Sequence, residues 1–539
     1  MRVLLIRPPR EFNSYKIYSE SLALGYIASV LRADEIETDI LDAFIEDLSV
    51  EKVVEKILTG RYSLIGLTIP DPTYLLPAID IVKKVKKEAP NIHITMGGYT
   101  PTFDYKKIFS IVPELDSISR FEGEIIMLNL AKAIEKKNNW QEINGLVYFN
   151  GKNLVVNPPM LLIENLDKLP FPSRDYLNYL KKSIPEKTIV YIQRGRGCYG
   201  KCTYCGVPKF YPDTKGKRLR FRTNDNLVSE LEEIAIKYNF REFFFVDDVF
   251  IGPAKAHKKM ALDLANKISN RRLNIIFSIS ERVDNLDKEV ICRLKESGLV
   301  QVFIGAESAS QRVLNRIKKG IKIKQIEDTI VMLSEAGLDI EVSFINFLPD
   351  NTLEDIEKNV NFFSKFGLDI LRSLINRLKP YPGTEIYKIL KKNDNLIDEF
   401  PYYKYNRNTV DERVDRLYNI VSLGLSTYNI VSYKLKELKR LLRKKLLESK
   451  LNPNIYRINN ETRNIIYNLQ CKITKEASSI FREALIFVKN HNSSLNDVNF
   501  ARELYNFVYK QSKVWLERIL FLLEILKKTG IQYEICQNC

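Results

Sequence analysis

Three cysteines fall within eight positions, Cys198, Cys202 and Cys205, in the run RGRGCYGKCTYCGVPKF. The whole chain of 539 residues holds only seven cysteines, too few for a disulfide scaffold. The C-x3-C-x2-C spacing gathers three soft thiolates, which select zinc or iron–sulfur. Structural zinc takes four ligands, and the nearest histidine in sequence is His257. An iron–sulfur cube held by three thiolates keeps one iron open for another ligand. On spacing alone, a zinc knuckle that borrows a fourth ligand is the alternative.

Further turns follow in order. Phe245-Val246-Asp247-Asp248 sets two carboxylates at a predicted strand end. Ile304-Gly305-Ala306-Glu307-Ser308 sets Glu307 and Ser308 after a glycine that lets backbone approach a ligand. Pro380–Thr384 reads PYPGT. With Tyr204 just before the last cysteine, these segments together resemble the radical S-adenosylmethionine (SAM) superfamily. The resemblance implies a 4Fe–4S cluster on Cys198, Cys202 and Cys205, with SAM chelating the open iron. It implies reductive cleavage of SAM to a radical that abstracts hydrogen from an unactivated C–H bond, with ferredoxin or flavodoxin as reductant. It also implies SAM contacts from Tyr204, Asp247, Asp248, Glu307 and Ser308. A carboxylate at Asp247 or Asp248 suits the ammonium, and Glu307 suits the ribose hydroxyls. Within Phe344–Asp350, Asn346 and Asp350 replace the family's glycine or glutamate, a departure at the adenine contacts. No other catalytic side chain stands out.

Pro8-Pro9, the segment Leu24–Ala28 around Gly25, Gly97-Gly98 and Glu122-Gly123-Glu124 resemble the B12-binding domain found ahead of many such barrels. That resemblance implies cobalamin cradled by loops at Gly25, Thr68, Gly97, Gly98 and Glu122. The D-x-H-x-x-G motif is absent, and His93 lies inside a strand as a packed residue, so no histidine of this chain would ligate cobalt. The other reading is a domain that keeps the fold and gives the space to substrate.

The elements that must position these residues form an α/β chain. Residues 1–150 alternate strands (Val3–Ile6, Leu64–Ile69, Ile92–Met96) with helices (Ser21–Leu31, Pro77–Lys87) and end in a hairpin at Asn150-Gly151, predicting a doubly wound Rossmann-like domain. Residues 151–185 form a linker with Pro170 and Pro172. Residues 186–400 predict a partial (β/α)6 barrel, with strands at 188–193, 242–246, 275–279, 300–304, 341–347 and 371–377 and chemistry at their C-terminal ends. Cys292 falls in a helix pattern and reads as core.

Residues 401–539 predict an all-helical domain. They hold 24 Lys and Arg against 13 Asp and Glu, most of the net +16. Lys434–Leu451 sets Leu435, Leu438, Leu441, Leu442 and Leu446 opposite Lys436, Lys439, Arg440, Arg443 and Lys444, the pattern either of an interfacial helix on an anionic lipid surface or of an ordinary surface helix packed on the barrel. Aromatics are not interleaved with this run, so nucleic acid is not expected. Cys471, Cys536 and Cys539 could ligate a second iron–sulfur cluster; otherwise they are incidental thiols near a frayed terminus. MRVLLIRPPR is too short for a signal segment, and no apolar run reaches the ~18 residues of a membrane span. A cytoplasmic chain, peripheral to a membrane, is expected.

Together these features predict an enzyme that forms carbon–carbon bonds at unactivated sp3 carbon. The basic helical domain favours a membrane lipid, as in the archaeal tetraether lipid ring synthases it resembles. The B12-type domain favours the alternative, a cobalamin-dependent C-methyltransferase. A non-catalytic SAM- or cluster-binding protein is the third possibility, against which the complete cysteine triplet and Glu307 argue.

Overall fold

The computed structural model describes the chain except residues 12–17, 185–187, 212–217, 369–370, 452–459, 492 and 529–539. The first domain alternates β1 (Arg2–Arg7), α1 (Leu22–Ala33), β2 (Glu37–Asp42), α2 (Val50–Thr59), β3 (Leu64–Thr68), α3 (Leu75–Glu88), β4 (His93–Gly97), α4 (Tyr99–Ile111), β5 (Ser117–Ser119) and α5 (Glu124–Glu135). A hairpin of β6 (Leu146–Phe149) and β7 (Leu154–Val156) completes the sheet, in the order β2-β1-β3-β4-β5-β6-β7. The pairs from β2 to β5 are parallel and the last two antiparallel. Helices cover both faces, so the central strand LIGLT is wholly buried, as parallel strands require. Strand order reverses between β1 and β3, the place where doubly wound sheets bind ligands. At the predicted hairpin turn, Gly151 takes φ +87° and the Asn150 side chain accepts the Lys152 and Asn153 amides.

After α6 (Leu177–Ser183) come β8 (Val190–Ile192), β9 (Gly195–Arg196), α7 (Val207–Phe210), β10 (Arg220–Phe221) and α8 (Asn224–Glu233). The barrel continues with β11 (Glu242–Phe245), α9 (Lys255–Asn270), β12 (Ile276–Arg282), α10 (Lys288–Ser297), β13 (Leu299–Glu307), α11 (Gln311–Arg316), α12 (Ile323–Glu335), β14 (Asp339–Phe344) and α13 (Leu353–Phe366). Its five parallel strands are ordered β14-β13-β12-β11-β8. The sixth strand expected at 371–377 is instead a short helix, α14 (Leu371–Leu374), followed by a single bridge from Phe347 to Arg377. Buried Asn346 braces this segment, its amide donating to the Leu374 carbonyl at 2.8 Å, and among the described residues backbone pairing there is confined to Phe347 with Asn376 and Leu378. Cys292 on α10 is exposed rather than core, because it lies off the stripe formed by Val290, Ile291 and Leu294.

The last domain is helical: α15 (Glu385–Lys392), α16 (Arg413–Gly424), α17 (Tyr428–Leu451), α18 (Asn460–Asn490) and α19 (Asp497–Lys528). Leu435, Leu438 and Leu442 are buried as predicted, in one apolar core that runs from the barrel into the helices. Each such leucine contributes about 1.5–3 kcal/mol. The opposite face of α17 corrects the lipid-surface expectation. Lys439 and Arg443 converge on Asp339, Arg440 and Lys444 on Glu242, and Lys436 on Glu341. Arg440 also donates to the Thr188 carbonyl just before β8. The cations therefore bind carboxylates on β11 and β14 and tie α17 to the barrel. A basic amphipathic pattern looks the same in sequence whether its counter-charges are lipid headgroups or a neighbouring sheet. No described helix is long and apolar enough to cross a membrane.

Candidate active site

The three cysteines lie on the loop between β9 and α7. Gly197 enters it at φ +86°, where a Cβ would stand 2.2 Å from the Arg218 carbonyl. Gly200 is less tightly enclosed: a Cβ there would lie 3.4 Å from Cys198 Sγ, 3.8 Å from Cys202 Sγ and 3.1 Å from Arg282 Nη1. The Gly200 amide donates to Cys198 Sγ at 3.3 Å. Thr203 anchors the loop, its amide donating to the Ile317 carbonyl and its own carbonyl accepting the Ile386 amide, both at 3.0 Å.

Burial pushes the Cys198 thiol up and that of Cys205 to about 12. Thiolates here thus need positive charge, which cluster irons supply. Among the described residues no three His, Cys, Asp or Glu side chains converge on one ion position. A cube does not require this, because each of three corners takes its own thiolate. The donor set fits a cluster.

Asp247 and Asp248 part company. The Asp247 carboxylate accepts the backbone amides of Arg194 and Gly195, stitching β11 to the start of the cysteine loop. Burial raises it to about 7. Asp248 is the more exposed one: its side chain reaches solvent-accessible space, and although the Gly197 amide bonds it, the surrounding protein raises it to about 6. It is close enough to act electrostatically on Cys198 and Cys205.

Glu307 holds φ +67°, a strained setting for a non-glycine residue that costs of order 1–3 kcal/mol. It is buried, with Lys319 Nζ at 2.9 Å and Ser343 Oγ at 3.4 Å. A Cβ on Gly305 would lie 2.7 Å from Glu307 Oε1 and 2.8 Å from Lys319 Nζ, so glycine makes room for that pair. Tyr204 stands beside Glu307, with burial holding its phenol well above the usual range. Ser308 points elsewhere: its buried hydroxyl binds Asn359 on α13 at 3.0 Å.

A cavity of about 200 Å³ opens at the β1/β3 switch point. Leu5, Gly66, Thr68, Thr95, Gly97, Gly98, Ser119 and Met127 line it from the first domain. Gln193, Arg196, Phe210 and Tyr211, from the barrel side, complete it. The buried hydroxyls of Thr95 and Ser119 have no partner there. Apolar walls with orphaned hydroxyls suit an aromatic base such as the nucleotide tail of cobalamin, so the residues fit that group. Two expected cobalamin residues have other duties. Gly25 packs α1 on the linker, where a Cβ would lie 2.8 Å from the Ser173 carbonyl. Glu122 borders the cavity, but Arg196 and Arg220 take its carboxylate at 3.1 and 2.9 Å. Arg196 also binds Glu124 at 2.6 Å, clamping the first domain two residues before Cys198.

His93 is a packed residue, as expected: it binds Ser117 Oγ at 2.9 Å and meets the Trp140 ring edge-on. Cys471 Sγ lies 3.6 Å from the Gly367 carbonyl, and Cys536 and Cys539 lie outside the described residues. Sequence reasoning missed Arg196, Arg282 and Lys319. Only Arg282, at the end of a barrel strand, sat where a signal existed.

The radical SAM superfamily profile matches residues 192–363 and the B12 binding domain profile residues 13–131. An uncharacterized methyltransferase of Pyrococcus horikoshii is 30% identical over 414 residues, covering 76% of this chain and 87% of that protein. The anaerobic magnesium-protoporphyrin IX monomethyl ester cyclase of Rubrivivax gelatinosus is 28% identical over 419 residues, 75% of this chain and 72% of its own. The solved structure of the cobalamin-dependent SAM radical enzyme OxsB, with aqua-cobalamin bound, superposes with a TM-score of 0.74 at 18% identity, covering 99% of this chain and 82% of that one. That likeness places the fold: a B12-binding domain, a radical SAM barrel and a helical C-terminal region.

Proposed function

The chain belongs to the radical SAM superfamily, in the group that carries a B12-binding domain, and from that premise we propose that it is a C-methyltransferase acting at an unactivated carbon. When bound, the cluster supplies the electron that cleaves SAM, and cobalamin supplies a carrier for the methyl group. Cys198, Cys202 and Cys205 hold the cluster, and Thr68, Gly97, Gly98 and Gly66 line the pocket for the cobalamin tail. Asp248, the exposed carboxylate beside the thiols, receives the SAM ammonium, while Asp247 fixes the loop. Glu307, held by Lys319 and next to Tyr204, accepts the ribose hydroxyls. Ser308 supports this turn from behind through Asn359.

One observation carries the reading. The cobalamin cavity is walled on one side by the segments that bracket the cysteine loop, Arg196 before it and Phe210 and Tyr211 after it. The pocket for the cobalamin tail thus adjoins the loop that carries the cysteines, which supports a methyl carrier and a radical source working in proximity. The lipid ring-synthase expectation rested on a free basic face of α17, which is occupied by Glu242, Asp339 and Glu341. The reductant is a low-potential ferredoxin or flavodoxin.

The test is anaerobic reconstitution with iron, sulfide and hydroxocobalamin, followed by SAM bearing a deuterated methyl group and a small-molecule extract. The expected result is about four irons per chain, bound cobalamin, a deuterium-labelled product, and 5′-deoxyadenosine and S-adenosylhomocysteine in equal amounts. Cys198→Ala abolishes all turnover. Release of 5′-deoxyadenosine without S-adenosylhomocysteine would refute methyl transfer and favour a cyclase.

A further inference from the structure

Arg282 ends β12 and has no part in the reading above. Its guanidinium is only 9% exposed and is held on several sides. Nε donates to Tyr199 Oη and to Asp284, each at 3.0 Å. Nη2 donates to Asp284 at 3.1 Å and to the Lys319 carbonyl at 2.8 Å. Tyr199 belongs to the cysteine loop, and its hydroxyl also donates to Asn285 at 2.8 Å. The one remaining group, Nη1, lies 3.9 Å from Cys202 Sγ, the most buried of the three sulfurs. Gly200 leaves the gap through which it reaches.

We propose that Arg282 is a positioning residue that sets the reduction potential of the cluster through a charge-assisted contact to the Cys202 sulfur. Reduction adds negative charge to the cluster and its sulfurs. A fixed cation and N–H donor at one sulfur stabilise the reduced state more than the oxidised one, and so raise the potential. Asp284 opposes this, because its carboxylate neutralises part of the guanidinium charge. Tyr199 keeps the fork aimed, since it is a partner of Arg282 on the loop the cluster occupies. This role holds whatever carbon the radical attacks.

The experiment is a redox titration of the full-length reconstituted chain, followed by electron paramagnetic resonance of the reduced cluster, without SAM. Iron is assayed in every sample. Arg282→Gln is expected to move the midpoint to more negative potential at full iron content. Arg282→Lys, which keeps the charge and loses the fork, falls between Gln and native. Asp284→Asn moves the midpoint the opposite way. If Arg282→Gln fails to hold its irons, Asp284→Asn decides. An unchanged midpoint at full iron overturns the assignment. If a separate equilibrium-dialysis measurement with SAM then shows weakened binding at that unchanged midpoint, Arg282 is a SAM ligand instead.

Discussion

Removing Asp339, at the start of β14, should detach α17 from the barrel more than any other single change at this interface. Its carboxylate is 6% exposed, with Lys439 Nζ at 2.5 Å and the Arg443 guanidinium on its second oxygen. At that separation and an effective dielectric of about 20, each contact is worth roughly 7 kcal/mol gross. Desolvation of the three charges offsets most of it. The Asp339→Ala change still leaves two cations facing each other with little water, Lys439 at 8% exposure and Arg443 at 13%. A buried pair broken from one side costs about 3–5 kcal/mol. Urea unfolding read from Trp515, itself buried against Glu476, reports on this domain in a Trp140→Phe background. The native clamp should also weaken in acid. Burial alone would raise the Asp339 carboxyl, but Lys439 and Arg443 hold it below its ordinary 3.8. Its stabilisation is therefore complete above that value and lost as pH falls through the lower folded one. A loss below about 1 kcal/mol, the range of exposed ion pairs, would show that the basic face is not held by the barrel and would reopen the lipid surface.

Gly66→Val sets a Cβ 2.9 Å from Leu5 Cδ2 and 3.2 Å from Met127 Cε, with two methyl groups beyond it in a cavity of about 200 Å³. Cobalamin uptake, read by absorbance after gel filtration, should fall at least about tenfold, or ~1.4 kcal/mol, with iron content unchanged; normal uptake would mean the tail lodges elsewhere. His93, pushed by burial from 6.5 to about 4, stabilises the fold fully above pH 6.5 and loses that contribution as pH falls from 6.5 towards 4. The gap corresponds to roughly 3 kcal/mol, and thermal melts of His93→Gln should lack that share of the acid destabilisation.

The cysteine triplet, the alternation of strands and helices and the helical C-terminus were legible because each depends on local spacing: three cysteines within eight residues, periods of 2 and 3.6, and glycines where backbone must turn. Glu307 was legible too, since Gly305 two residues earlier marked the close approach. Partnership was not. Asp247 and Asp248 are adjacent and alike in sequence, yet one is buried on the Arg194 and Gly195 amides and the other is exposed beside the Gly197 amide. Glu122 looked like a cofactor loop residue, and only folding brought Arg196 and Arg220, more than 70 positions away, onto its carboxylate. The α17 cations looked free because Glu242 and Asp339 lie about 200 and 100 positions upstream. Sequence by itself determined that three thiolates gather where a cluster would need them, because that takes only one short loop. Tertiary structure decided which charges remain for substrate and which bind the chain to itself, because pairing depends on distances that separation along the chain does not encode.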